Sequence, residues 1–401
     1  MPSPPDPMVP AVVIGLGVNG LGTVRALGRR GVPAIVITNG SGDPPEHTRF
    51  ARKIALPAIS DPAALIECLV EQGRKLAGKS ILFPSGDLSL GYVSEHRSEL
   101  EPYYHLPMPS HDVVDLILSK SRFYRFAQDH GLPIARTFFP DSPEAADQVA
   151  RDITYPCLIK PSIATPEWRA RGLKILQCND AAELGARFRM AWGIHRDLIV
   201  QEVTPGPDSS LFFSLTYLDR SGAPLAMFTG RKVRQYVPHF GISSLAESLW
   251  DPEIAGRTER TLAALDYSGY GSIEFKRHAV TGEYLMTEVT GRTWYPHALS
   301  ERCGINLPWI AYSDLVLGTR AKVPESFPDH VKWIDEVGDF KSAMWYWRRG
   351  ELSLADWRRS YAGKRYWALA TWDDTGPILA LARRLAYRAI IWPFRKVARL
   401  F

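Results

Sequence analysis

The pattern of apolar and polar positions changes period several times along the chain, and each change marks an element. An apolar run, Ala11–Ile14, is followed by the glycine turn Gly15-Leu16-Gly17-Val18-Asn19-Gly20, a helical pattern through about Arg30, and a second apolar run, Pro33–Thr38. Strand, glycine turn, helix, strand is a βαβ unit of Rossmann type. The half-domain continues with a helix near Asp61–Leu76 and a strand, Ser80–Pro84, that ends in the polar loop Ser85-Gly86-Asp87. Such loops at the carboxyl ends of strands are where open α/β sheets bind ligands, although Ser and Asp are equally the residues that cap a following helix.

A helix opens at Ser119-Lys120 and ends at Gly131-Leu132-Pro133, and the extended Ile134–Phe139 follows. Short buried strands then take over. They are Cys157–Pro161 with Lys160 near its end, a partner at Lys174-Ile175-Leu176, Leu198–Val203 reading LIVQEV, and, after the turn Thr204–Asp208, the alternating Ser210–Tyr217. A lysine at the end of a buried strand is costly unless an anion meets it, so Lys160 points to a phosphate. Leu225–Phe228 and Gly230–Arg234 are further strands, and the period of two puts Lys232 and Arg234 on one face, as anion contacts or as a solvated basic edge.

A helix at Arg257–Leu265 leads into Gly271–Arg292, where Ser272–Lys276 and Tyr284–Val289 alternate on either side of a Thr-Gly turn. This predicts a β-hairpin with Glu274 and Glu288 on neighbouring strands. Facing the same side, the two carboxylates would repel, and a hard divalent cation such as Mg²⁺ offsets that repulsion. The alternative is two solvated glutamates. Arg292, four residues past Glu288, would add positive charge beside bound phosphates.

Composition narrows the classes. The 401 residues are 45% hydrophobic and 23% charged, which suits a globular chain of two or three domains. No run of eighteen apolar residues occurs, and the opening MPSPPDPMVP lacks the regions of a signal peptide, so a cytoplasmic protein is expected. The four cysteines lack metal-ligand spacing and read as reduced, mostly buried thiols, and no Ser-His-Asp or Cys-His arrangement stands out. Of the net charge of +5, Val331–Phe401 alone contributes +7, which argues against a chain built for nucleic acid. The second strand ends in Thr38-Asn39-Gly40, where a dinucleotide enzyme would carry an acidic residue, so an NAD(P) oxidoreductase is the lesser alternative.

Val331–Phe401 holds seven of the twelve tryptophans, including Trp372 and Trp392. From Ile378 to Phe401 there are six cations and no acid. At helical spacing Arg384, Arg388, Arg395 and Arg399 form one stripe opposite a broad apolar arc. This is the pattern of an interfacial helix at the inner face of the cell membrane, or of a C-terminal helix docked on the body with its basic stripe in water. Pro393 would kink either one.

Lysine strand, QEV strand, basic strand and two-glutamate hairpin in this order resemble the ATP-grasp superfamily from about Val12 to Gly318, and within it the predicted carboxylate–amine ligases that include D-aspartate ligase-like proteins. The resemblance implies an α/β and α+β protein: a Rossmann-like domain over 1–117, a small lobe over 118–203, a large lobe over 204–325, and here a helical basic extension over 326–401. It implies that Lys120 and Lys160 hold ATP phosphates, that Gln201, Glu202 and Val203 form the hinge strand that reads adenine, and that Asp208 binds the ribose. It further implies that Lys232 and Arg234 meet the γ-phosphate or acyl phosphate, that Glu274 and Glu288 hold Mg²⁺, and that Arg292 is the arginine that follows the second glutamate.

Two departures stand out. Thr290 replaces the family's asparagine after the second glutamate. The loop Ser162–Gly172 has a single glycine and instead carries Trp168, Arg169 and Arg171, so a lid in which the arginines clamp phosphate is expected. The implied activity is an ATP- and Mg²⁺-dependent ligation of a carboxylate to an amine through an acyl phosphate, and the alternative is a nucleotide-binding homologue without turnover. The loops Ser85–Asp87 and Trp294–His297, with the glycine turn, are where selection of the small-molecule substrates is expected.

Overall fold

The computed structural model describes residues 8–163 and 165–397. The chain divides into two units, Met1–Pro107 with Ser243–Ser248 and Arg292–Phe401, and Met108–Ile242 with Leu249–Gly291.

In the first unit, β1 (Ala11–Ile14), β2 (Ala34–Thr38), β3 (Arg52–Ala55), β4 (Ser80–Pro84) and β5 (Tyr104–His105) form a parallel sheet in the order β3-β2-β1-β4-β5. Every residue of β1, β2 and β4 is buried, as the unbroken apolar runs predicted for strands covered on both faces. The edge strand β3, largely exposed and polar, carries no such signal. The glycine turn is set by sterics. Gly15 has φ +86°, and a Cβ on Gly20 would lie 2.2 Å from the Gly15 carbonyl oxygen, so only glycine lets the chain pass directly from β1 into the helix Val18–Gly28.

The C-terminal segment is part of this unit. β15 (Lys332–Ile334) pairs antiparallel with β12 (Ile242–Ser248) over Leu245–Glu247 and parallel with β16 (Arg365–Trp367). Trp333 is buried and meets Tyr295 edge to face. The segment is tied to the first helix by a buried cation. Arg25 Nε donates to Asp374 at 2.8 Å, and its two terminal nitrogens donate to the carbonyls of Ala368, Leu369 and Asp374. Arg29 adds a bond of 2.7 Å to Asp373 and one of 3.2 Å to Glu301.

The last helix, Gly376–Val397, buries Pro377 and Leu381, and each residue from Ala382 to Ala389 is exposed. The backbone stays helical through Pro393. Of the basic stripe, Arg384 and Arg388 are exposed, the side chain of Arg395 lies outside the described residues, as does that of Trp392, and so does Arg399.

The second unit holds two sheets. β6 (Thr137–Phe138), β7 (Cys157–Pro161), β8 (Leu176–Cys178) and β9 (Leu198–Glu202) pair antiparallel in the order β6-β9-β7-β8. The helices Pro143–Asp152 and Ala181–Trp192 contribute Ala146, Leu184 and Phe188 to a core shared with Cys157, Ile159 and Trp168. Trp168 is therefore a core residue, not a lid residue, and its indole N–H donates to the Lys174 carbonyl at 3.3 Å. Arg169 and Arg171 of the same loop are exposed.

The other sheet runs β14-β13-β10-β11, with β10 (Leu211–Leu218), β11 (Pro224–Tyr236), β13 (Gly269–Arg277) and β14 (Tyr284–Thr290). The two strands expected at Leu225–Phe228 and Gly230–Arg234 are one continuous strand, β11. Helices Lys120–Asp129 and Pro252–Ala264 cover one face, burying Phe123, Tyr124, Ile254 and Leu262 with Phe212, Ile273, Phe275, Met286 and Val289. The opposite face carries the polar residues described next.

Candidate functional site

Glu274 and Glu288 sit directly opposite each other across β13 and β14, and Ser272 sits opposite Thr290 one pleat away. The alternating pattern predicted neighbouring strands for the two carboxylates, and the pairing brings them into register on one face. The pattern of β14 does not alternate strictly, because Met286 and Val289, three residues apart, both enter the core. A register shift after Glu274 reconciles them, leaving Thr287 as the extra residue of a bulge. Its hydroxyl donates to the Glu274 carbonyl at 3.3 Å, and its carbonyl accepts from the Tyr124 hydroxyl at 2.7 Å. The bulge keeps Glu288 on the open face while Met286 turns inward.

Glu274 is buried and paired with buried Lys232 at 2.7 Å, whereas Glu288 is open to solvent. Burying either member alone would be costly, so the pair is mutually required. Arg234, also buried, lies two residues further along β11 and therefore on the same face as Lys232.

Around these carboxylates stand more cations than they can neutralise. Lys160 donates to the Gln201 side-chain oxygen at 2.7 Å, and Gln201 in turn donates to Thr137 at 2.8 Å. Desolvation, with the adjacent Lys120 ammonium adding to it, lowers the Lys160 pKa to about 7 against the opposing pull of Glu288. Lys120 opens its helix with its backbone N–H on the Ser162 carbonyl at 3.0 Å. Lys174 donates to the Phe240 carbonyl, and its pKa is lowered by desolvation and by Lys232. Lys276 is lowered by desolvation while Asp208 raises it. The group thus holds Lys120, Lys160, Lys174, Lys232, Arg234 and Lys276 against Asp208, Glu274 and Glu288. Such an excess suits a polyanion.

The expected hinge residues have their own bonds. The backbone N–H of Glu202 donates to Arg136 at 3.0 Å and that of Val203 to Pro156 at 3.1 Å, while the Glu202 carboxylate accepts from the Thr154 N–H at 3.0 Å. Asp208 is buried and accepts from the His239 N–H at 3.0 Å. Sequence reasoning missed Lys174 and Lys276. Lys276 was within reach of the period-two argument, lying two residues past Glu274. Lys174 gave no local signal, because its neighbours arrive from strands more than fifty residues away.

Arg292 belongs to the first unit, where its guanidinium donates to Asp87 at 2.5 Å. The three loops singled out in the sequence converge there. The Asn19 side-chain amide donates to the carbonyls of Ser85 and Thr293, and His297 Nε2 meets the Asn19 carbonyl at 2.9 Å and Thr23 at 3.3 Å. Burial lowers the His297 pKa to about 4. The unfolded chain therefore binds this proton more readily, and stability falls as the pH drops from about 6.5 to about 4, by about 3 kcal/mol in full. Denaturant titrations of His297→Gln across that range should show a correspondingly shallower loss than wild type, and equal slopes would mean that His297 is not buried neutral.

No family model matches the chain. It is 20% identical over 287 residues to D-aspartate ligase of Enterococcus faecium, covering 68% of each protein. Among solved structures it is similar to biotin carboxylase of Campylobacter jejuni, with TM-score 0.63, 17% identity, and 81% and 74% of the two chains covered. It is also similar to N5-carboxyaminoimidazole synthetase of Staphylococcus aureus (TM-score 0.62, 12% identity, 80% of each chain). L-amino acid ligase of Bacillus licheniformis matches with TM-score 0.57, 16% identity, and 76% and 73% of the chains. The chain has the ATP-grasp fold.

Within this ATP-grasp fold the hairpin can be tested against a metal. Among the described residues no group of three or more His, Cys, Asp or Glu could cage an ion. Two opposed carboxylates, with a hydroxyl at Thr290, fit Mg²⁺ better than zinc or calcium, because Mg²⁺ keeps several water or phosphate oxygens in its octahedron.

Proposed function

We propose that the protein is an ATP- and Mg²⁺-dependent ligase that activates a carboxylate as its acyl phosphate and joins it to an amine. The observation that carries this reading is the in-register Glu274–Glu288 pair set in an excess of lysines. Lys120 and Lys160 would hold the phosphates of ATP, and Asp208 beside Lys276 would receive the ribose, at the end of the hinge strand formed by Gln201, Glu202 and Val203. Glu274 and Glu288, with Thr290 next to them, would hold Mg²⁺, which when bound supplies charge neutralisation along the triphosphate.

A carboxylate is a poor electrophile. Its oxygen attacks the γ-phosphorus and ADP departs; the amine nitrogen then attacks the acyl carbon and phosphate departs. Negative charge on the transferring group is stabilised by Lys232 and Arg234, and positioning with electrostatics carries the rate, so no nucleophilic side chain is needed. The converging loops of the first unit, with Arg292, are the proposed place of substrate selection. The likeness to a D-aspartate ligase and an L-amino acid ligase supports amino acids as the substrate class.

Calorimetric titration with ATP tests this, with and without Mg²⁺, followed by phosphate release across a panel of amino acids. Wild type should bind in a Mg²⁺-dependent manner, and Glu288→Ala should bind ATP with that dependence removed and release phosphate at least ~100-fold more slowly. ATP binding with no phosphate release on any acid would favour a nucleotide-binding homologue without turnover, as the threonine at 290 would allow. No ATP binding at all would overturn the proposal.

A further inference from the structure

We propose that the helix Gly376–Val397 docks the protein on the surface of an anionic lipid bilayer. The inference does not rest on the ligase reading.

Among the described side chains of this helix, those at its start are the ones the fold uses. Pro377 and Leu381 are buried, the helix packs beside Pro44–His47, and Arg384 pairs with Asp43 at 2.5 Å. From Ala382 to Ala389 every residue is exposed, including Leu385 at 52% and Tyr387 at 62%. Isolated helical turns in water gain little from propensity alone, so a helix that leaves the body needs something to lie against.

The character of the exposed turns says what that is. At 100° per residue the exposed Leu379, Ala382, Leu385, Ala386 and Ala389 occupy an arc of about 120°, with Arg383 past one edge and Arg384 and Arg388 past the other. Arginines at both edges of an apolar arc can extend to headgroups while the arc enters the acyl boundary. Leu379 is 54% exposed, and Trp372, four residues before the helix, is 89% exposed, a residue type favoured at bilayer interfaces.

Charge excludes the other occupants. Ile378–Phe401 carries six cations and no acid, so a second copy of the same helix would be repelled. A nucleic acid would leave the apolar arc in water. No helix among the described residues is long and apolar enough to cross a membrane, so the contact is with the surface.

The test uses the full chain and sedimentation with vesicles of phosphatidylcholine alone or with 30% phosphatidylglycerol. Binding to the anionic vesicles should exceed binding to the neutral ones at least tenfold. It should fall by roughly 30-fold or more in Arg383→Glu/Arg388→Glu, since each cation near such a surface contributes about a factor of five to ten. Leu385→Glu, which reverses no arginine, should weaken it as well. Circular dichroism and a urea transition matching wild type would show that the variants fold. Equal binding of wild type and both variants, or no binding to anionic vesicles, overturns the proposal. So does lipid-free dimerisation that Leu385→Glu abolishes, which would assign the helix to a second copy of the chain.

Discussion

At pH 8 the protein should take up close to one proton for each ATP it binds, and Lys160→Ala should take up none. With its pKa at about 7, Lys160 is about nine-tenths neutral at pH 8 before ligand arrives. Desolvation and the Lys120 ammonium hold it there, and a bound triphosphate reverses both influences by placing negative charge beside the amine. The Lys160 pKa then returns toward the ordinary lysine range, which draws a proton from the buffer. Calorimetry in buffers of different ionisation enthalpy reads this directly, and at pH 6 the uptake should shrink to about one-tenth of a proton. Removing the amine should also weaken ATP binding by ~100-fold, as for a charge-assisted hydrogen bond to an ionised group. In the ligand-free protein the same shift works on stability. The unfolded chain holds this proton up to about pH 10.5 and the folded chain only to about 7, so this group's contribution to stability grows as the pH rises through that window. An enthalpy independent of buffer, or a Lys160→Ala variant that behaves as wild type, would remove Lys160 from the phosphate site.

The second large effect is structural. Arg25→Ala should destabilise the first unit by ~3–5 kcal/mol, because it leaves the Asp374 carboxylate buried without its charge partner. Arg25 is 3% exposed and Asp374 1%, and Asp374 also accepts from the Thr48 hydroxyl at 2.6 Å and the Arg49 N–H at 3.0 Å. The double variant Arg25→Met/Asp374→Leu should recover much of the loss, since replacing both members by apolar residues removes the unpaired charge. The urea transition followed by far-ultraviolet circular dichroism is the measurement. A single variant within 1 kcal/mol of wild type would show that the C-terminal segment is held by its strand pairing instead.

What the sequence revealed and what it concealed follow the range of the interactions involved. The βαβ opening was legible because unbroken apolar runs and a glycine turn are local signals, and alternation on both sides of a short turn placed Glu274 and Glu288 on neighbouring strands, whereas their register depends on the bulge at Thr287, which no local pattern announces. Lys160 could be read from the cost of ending a buried strand in a charge. The continuity of β11 was obscured by Thr229-Gly230, a weak spot in strand propensity that pairing with β10 overrides. β3 and β12 were passed over because one is a polar edge and the other a run of serines, and neither has the periodicity of a half-buried strand. Trp168 looked like part of a phosphate lid because it stands among arginines, yet its ring fills the small sheet's core. The tail's density of Arg and Trp could not by itself separate docking from surface display. The partners of its acids Asp373 and Asp374, Arg29 and Arg25, lie at the other end of the chain, where no pattern connects them.

That separation matters to the way the chain is made. Arg25 leaves the ribosome 349 residues before Leu369 and Asp374 complete its shell. At about 5–20 residues per second, the guanidinium waits roughly 20–70 s for its partners. The second unit's residues end at Gly291, so they have emerged well before β15, β16 and Asp374. The sheet that begins the chain is thus among the last parts to be sealed. Until then its first helix offers an unanswered charged face to solvent and to chaperones, and a release factor arriving early would leave it so.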